Sequence, residues 1–196
     1  MKEIGVAILA GGLSSRMGTS KEDLLLQSVN GNVTFLQHIC EEVKGFPYKY
    51  LSENSEKSHR IKGFVSIQDK VDKIGPLGGI YSVLIEAEVE EVLFLACDMP
   101  GLTGEVVNAF LKKWDHHSVC VAVVDGKRQP LMGIYTKQCI PLIKRQIKSG
   151  NYRLCSLLDA VNCKQADMSE YREAFLNVNT EQDYSLYKIY QVRRKK

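Results

Sequence analysis

Hydrophobic positions in this chain alternate between two rhythms: short, nearly uniform apolar runs, and longer stretches whose apolar residues recur every three or four positions. The first suits strands buried on both faces, the second helices packed by one side. Ile4, Val6, Ile8 and Leu9 form a charge-free, β-rich run that predicts a buried parallel strand. Asn32 then stands as the cap of a helix with apolar positions at Phe35, Leu36, Ile39, Cys40 and Val43, ending at Gly45. Tyr48 to Leu51 reads as a second strand. A polar segment from Ser52 to Arg60 leads to a third, Phe64 to Ile67, which ends at Gln68-Asp69.

Gly75-Pro76-Leu77-Gly78-Gly79 opens the next helix, with Ile80, Val83, Leu84 and Ala87 on one side. Val92 to Ala96 is the best candidate for a central strand, and it stops at Cys97-Asp98-Met99-Pro100. Thr103 caps a helix through Lys113, and Val119 to Val124 forms a strand ending in the polar turn Asp125-Gly126-Lys127-Arg128. A strand at Leu131 to Tyr135 and helices at Ile140 to Ile147 and Leu154 to Ala160 follow. The last strand is expected at Phe175 to Val178, before a helix from Thr180, where Thr180 and Asp183 have capping-box-like spacing. This rhythm predicts an α/β fold: one Rossmann-like domain, a mostly parallel sheet with helices on both faces.

Length changes little in that picture, since 196 residues make one domain of ordinary size. Charge excludes more. Lys and Arg outnumber Asp and Glu by 26 to 23, but the last four residues, 193–196, supply four of those cations. The body, 1–192, is therefore nearly neutral, which argues against a nucleic-acid surface; the basic tail reads as a solvated terminus. No stretch is apolar enough for a signal core or a bilayer span, so a cytoplasmic protein without membrane contact is expected. The six cysteines, Cys40, Cys97, Cys120, Cys139, Cys155 and Cys163, include no C-x-x-C pair and read as buried thiols.

Candidate chemistry gathers where strands end, the place at which open α/β sheets bind ligands. Gly11-Gly12 follows the first strand, and adjacent glycines let backbone N–H groups converge on an anion. Arg16 and Lys21 add two cations suited to phosphate. Neither a Walker A loop nor G-x-G-x-x-G is present. Ser52 ends the second strand, Asp69 the third and Asp98 the fourth. A carboxylate at Asp98 is either a turn residue or a ligand for a hard cation, and Mg²⁺ needs only one or two carboxylates beside phosphate and water. Asp69 could accept from both the ring N–H and the exocyclic amine of guanine, or be a surface residue, with Asp72 close by in sequence. His116-His117 reads as a solvated loop rather than a metal pair, and Cys97 as packed rather than nucleophilic.

The string L-A-G-G-x-S-x-R-M-G-x-x-K, from Leu9 to Lys21, resembles the signature loop of nucleotidyltransferases that activate a phosphate with an NTP. Within them it is most similar to the molybdenum cofactor guanylyltransferases of the MobA type; relatives that take CTP more often read A-A-G. The resemblance implies the nucleotidyltransferase fold, which is glycosyltransferase-A-like. It implies Asp98, in C-D-x-P, as the Mg²⁺ ligand. Asp69, directly after the third strand, becomes the guanine reader in preference to Asp72, and Gly75-Pro76-Leu77-Gly78-Gly79 is close to the family's G-P-L-A-G with Gly78 in place of Ala. GTP contacts are then expected from Leu9, Ala10, Gly11, Gly12, Lys21, Ser52, Asp69, Gly78 and Asp98, with Lys21, Arg16 and Asp98 catalytic. Two departures stand out: Leu51-Ser52-Glu53-Asn54 offers Ser52 in register where some relatives have Asn, and Glu22-Asp23 adds a residue before the leucine run.

The C-terminal third is expected to face the second substrate. Gln129, Arg153, Asn177 and Asn179 lie in segments that resemble the family's pterin side, with a turn, a helix-flanking cation and a helix cap as the plain alternatives. The implied reaction is attack by the terminal phosphate of molybdopterin, with or without molybdenum, on the α-phosphorus of GTP, releasing pyrophosphate. Transient cofactor-biosynthesis proteins are the expected partners. A sibling transferase using CTP or activating a sugar, and a noncatalytic nucleotide-binding module, are the competing readings.

Overall fold

A computed structural model describes residues 3–10, 24–28, 31–54 and 59–194. Seven strands form the main sheet: β1 (Ile4–Leu9), β4 (Lys49–Glu53), β5 (Val65–Gln68), β6 (Glu91–Ala96), β7 (Val119–Val124), β8 (Lys127–Thr136) and β9 (Cys163–Asp167). Their order is β5-β4-β1-β6-β8-β7-β9. β8 alone runs against its neighbours, pairing antiparallel with β6 and β7, while the other pairings are parallel. β2 (Leu25–Ser28) and β3 (Gly31–Thr34) form a separate antiparallel pair.

The uniform apolar run of β6 takes the middle of the sheet. Val92, Leu93, Phe94 and Leu95 are fully buried, each contributing roughly 1.5–3 kcal/mol relative to exposure. Alternate residues serve opposite faces. Val6, Ile8, Leu93 and Leu95 pack with α1 (Phe35–Glu42) and α3 (Gly104–Leu111). Ala7, Phe94, Val92 and Tyr135 pack with α2 (Pro76–Glu86), α4 (Ile140–Lys148) and α5 (Leu154–Ala160). A smaller third cluster joins Leu24, Leu26 and Phe35 to Val178 and Tyr187; Tyr187 belongs to α6 (Glu181–Arg194).

Several local expectations hold in detail. Thr103 caps α3, its Oγ1 accepting from Val106 N–H. Thr180 Oγ1 accepts from Asp183 N–H at 3.1 Å while the Asp183 carboxylate accepts from Thr180 N–H at 2.9 Å, a reciprocal cap. Three expectations are corrected. The cap of α1 is Thr34, in a capping box with Gln37, because Asn32 is engaged in β3 opposite Gln27. The polar turn is shorter than expected: Asp125 and Gly126, both at positive φ, form a two-residue hairpin loop, and Lys127 and Arg128 already pair in β8. The final strand is Cys163–Asp167, beside β7. Phe175 instead ends a 3₁₀ segment (Ser169–Phe175), and residues 176–179 are irregular. Phe175 packs in the core with α3 and Val178 in the third cluster, while Leu176 is exposed.

Candidate active site

Strand register decides which side chains share the sheet's carboxyl edge. Leu9 pairs with Ser52 on one side and Ala96 on the other, and Glu53 pairs with Gln68. Ala10, Asp69 and Cys97-Asp98 therefore leave the sheet at one edge. With neighbouring strands about 4.8 Å apart, the ends of β5 and β6 stand roughly 14 Å apart, on the scale of an extended nucleotide.

The corner around Asp69 is interlocked from three sides. Ser52, 3 % exposed, donates its hydroxyl to Asp69 Oδ1 at 3.0 Å. Asp69 N–H donates to Glu53 O at 2.9 Å. Lys70 N–H donates to Ser82 Oγ at 2.8 Å, and that hydroxyl donates to Gly78 O at 2.7 Å, tying the loop after β5 to α2. Burial pushes the Asp69 carboxyl above its ordinary range, the Ser52 hydroxyl pulls it down, and nearby Asp72 pushes it up again. Asp72 itself is exposed whereas Asp69 is half-buried.

Two glycines bring α2 against this corner. A Cβ on Gly79 would stand 2.5 Å from Ser52 Oγ and 2.9 Å from Leu9 Cδ2. One on Gly78 would stand 2.9 Å from the Val71 carbonyl oxygen, which gives a steric reason for glycine in place of the family's alanine. Glu53 is almost fully buried, and its carboxylate receives Ser66 Oγ, His59 N–H and His59 Nδ1.

The loop after β6 is held from the other end of the chain. Asp98, half-buried, accepts Val178 N–H on its carbonyl at 2.9 Å. Tyr187 Oη donates to Pro100 O at 3.0 Å. Gly101 lies so near the C-terminal segment that a Cβ there would be 2.9 Å from Ala174 Cα. Asn177 and Asn179 thus flank a residue bonded to Asp98; Asn177 is exposed, and Asn179 N–H donates to Asp183 Oδ2 at 3.0 Å. Gln129 also reaches the edge, since β8 runs antiparallel and begins there, in register with Ala122. Arg153 is exposed at the start of α5, where its backbone is bonded to Asn151 and Gln146.

Gly11, Gly12, Arg16 and Lys21 lie outside the described residues. Their flanks do not. Ala10 N–H donates to Ser52 O at 3.0 Å, and Leu24 O accepts from Phe35 N–H at 2.8 Å. Leu24 packs in the cluster containing Val178, so Ala10 and Leu24 stand beside Ser52 and the segment that bonds Asp98, respectively.

Among the described residues no group of three His, Cys, Asp or Glu is arranged to hold a metal. A hard cation completed by phosphate and water needs no such group, and a single half-buried Asp98 is a suitable protein ligand. His116 and His117 belong elsewhere. His116 Nδ1 lies 2.9 Å from the buried carboxylate of Glu91, at the amino end of β6, which also accepts Trp114 Nε1 at 2.8 Å. His117 pairs with Asp115. Cys97 is buried, and Cys40 and Cys120 are thiols pushed up to about 12 by burial. Sequence reasoning missed Ser82, Gly79 and Glu53. A serine in the apolar row of α2 was the available signal; Glu53 fell in the segment read as polar, whereas β4 extends to include it.

Residues 6–166 match the MobA-like NTP transferase domain family. A Carboxydothermus hydrogenoformans protein named "Probable molybdenum cofactor guanylyltransferase" is 30 % identical over 200 residues, spanning 98 % of this chain and all of that one. The molybdenum cofactor guanylyltransferase of Vibrio campbellii is 27 % identical, spanning 92 % of each chain. In fold, the chain is similar to the molybdopterin-guanine dinucleotide biosynthesis protein A of Archaeoglobus fulgidus, with a TM-score of 0.74 over 98 % of this chain and 100 % of that one, at 19 % identity.

Proposed function

The chain belongs to the MobA-like NTP transferase family and is a nucleotidyltransferase, and from that premise we propose that it transfers GMP from GTP to the terminal phosphate of molybdopterin or the molybdenum cofactor, releasing pyrophosphate. The observation that carries this reading is the placement, on one edge, of two carboxylates: Asp69, held by Ser52 and suited to guanine, and the half-buried Asp98, suited to a hard cation. In this reading Asp69 accepts from the guanine ring N–H and exocyclic amine, while Leu9, Ala10 and Gly78 line the base side and Ser52 stands behind Asp69. Gly11 and Gly12 amides, Arg16 and Lys21 bind triphosphate oxygens. Asp98 holds a divalent cation, Mg²⁺, which when bound neutralises triphosphate charge.

A phosphate monoester with a second pKa of ~6 is already largely ionised at neutral pH. The nucleophile needs no general base, in keeping with a site rich in Lys, Arg, Asp and Gly. Gln129, Arg153, Asn177 and Asn179 face the pterin acceptor. The reading includes a cytosolic site of action, supported by cysteines, four of them buried, that form no disulfide among the described residues; no helix among the described residues is long and apolar enough to cross a membrane. Transient contact with other cofactor-biosynthesis proteins completes it.

The test is a thermal-shift panel of GTP, CTP, ATP and UTP with Mg²⁺, with pyrophosphate release measured on molybdopterin. Selective stabilisation by GTP, lost in Asp69→Asn, is expected; preference for CTP, or binding without pyrophosphate release, overturns the reading.

A further inference from the structure

We infer that Ser52 is a positioning residue for base selection, acting through Asp69 rather than on the nucleotide, and that Gly79 exists to leave its hydroxyl room. The inference rests on the reading of Asp69 as the guanine acceptor. A carboxylate meets two parallel donors only when its plane is aligned with theirs, yet the last torsion of an Asp side chain is broad and roughly two-fold. Something must set it. The Asp69 backbone is fixed on both sides, by Glu53 O on its own N–H and by Ser82 Oγ on the following one. Those bonds leave the carboxylate free to turn. The Ser52 hydroxyl, 3.0 Å from Oδ1, supplies the missing restraint.

Ser52 is placed for that task and poorly placed for direct ligation. It is 3 % exposed, lies within β4 rather than beyond it, and its single proton is committed to Asp69. Leu9 Cδ2 and the Gly79 backbone crowd the same space: a Cβ on Gly79 would fall 2.5 Å from Ser52 Oγ but 3.5 Å from Asp69 Oδ1. An alanine at 79 would thus displace the hydroxyl before it touched the carboxylate. A carboxylate accepts about four hydrogen bonds, so one from Ser52 leaves Oδ2 and part of Oδ1 for the two guanine donors.

The experiment compares kcat/KM for GTP and ITP, which lacks the exocyclic amine, in the full chain and in Ser52→Ala, Gly79→Ala and Asp69→Asn. Losing the restraint should lower the GTP-over-ITP ratio about tenfold in Ser52→Ala, the scale of one hydrogen bond to a charged group, mainly through KM for GTP. Gly79→Ala should do the same with Ser52 still present. In the double variant Ser52→Ala/Gly79→Ala the two losses should not add, since each removes the same bond. A wild-type ratio in both single variants alongside a collapsed ratio in Asp69→Asn overturns the positioning role and leaves Asp69 as the reader. A ratio that Asp69→Asn does not change overturns the reading beneath it. Should Ser52→Ala fail to fold, Gly79→Ala alone decides between those outcomes.

Discussion

The Asp69 corner and the Asp98 loop occupy one edge of one sheet, but different parts of the chain hold them. Among the described residues, every bond that fixes Asp69 comes from residues 52 to 82, through a strand end, a loop and the first turns of α2. Asp98 is fastened from far along the chain, by Val178 N–H, with Tyr187 on Pro100 and Ala174 against Gly101 reinforcing it. The corner proposed for base selection is therefore held within the first half of the chain. The proposed cation site is finished only when the C-terminal segment docks, and that segment also carries Asn177 and Asn179. Such an arrangement couples the proposed acceptor side to the proposed cation side, so damage to one should reach the other while sparing base choice.

The largest expected effect comes from removing charge itself. Asp98→Ala and Lys21→Ala should each lower turnover by about 10²-fold or more, the scale of losing one electrostatic stabiliser, with the GTP preference in binding retained. Near-wild-type turnover in both would remove these residues from the mechanism. Next is Gly101→Ala, which sets a Cβ against the Ala174 backbone and should cost ~1–3 kcal/mol in urea unfolding, as overpacking does. Turnover should fall with it and the GTP-over-ITP ratio should not. If the ratio falls in parallel, the two regions are not separately held.

Tyr187→Phe deletes one hydrogen bond to Pro100 O and should cost ~1 kcal/mol, with a smaller fall in turnover. The smallest effect has the opposite sign. Because burial favours the neutral form of Asp69, the folded protein keeps that proton to a higher pH than the unfolded chain does, and stability declines as pH rises through the interval. Asp69→Asn should therefore raise the thermal midpoint at neutral pH, with the gain closing below about pH 4, where the unfolded carboxyl is also protonated. A lower midpoint at pH 7 would mean that the carboxylate is stabilised in place, contrary to its half-buried setting.

Legibility followed burial. Ile4–Leu9 and Val119–Val124 could be read to the residue because uniform apolar runs have few alternatives to a two-sided strand. Cys163–Asp167 could not, since as an edge strand it buries only Ala166 fully among polar neighbours. Phe175 to Val178 misled for the complementary reason: its apolar residues serve two packing clusters and pair with no strand. At the site, Asp69 and Asp98 were legible as carboxylates at strand ends beside motif residues. The roles of Ser82 and Gly79 were not, although one interrupts the apolar row of α2 and the other lies in its opening motif, because their contacts span helix and loop.

Sequence alone determined the α/β rhythm from the first strand to α5, apart from the β2–β3 pair, together with the family resemblance and the two acidic strand ends, all of which depend on local periodicity or on short contiguous motifs. Tertiary structure decided how those acids are held: which hydroxyl bonds Asp69, what a side chain at position 79 would strike, and which distant segment bonds the Asp98 loop. The physical reason is register. A one-residue slip of β4 against β1 and β5 would leave Leu9, Ser52, Glu53 and the composition unchanged and yet carry the Ser52 hydroxyl to the opposite face of the sheet from Asp69.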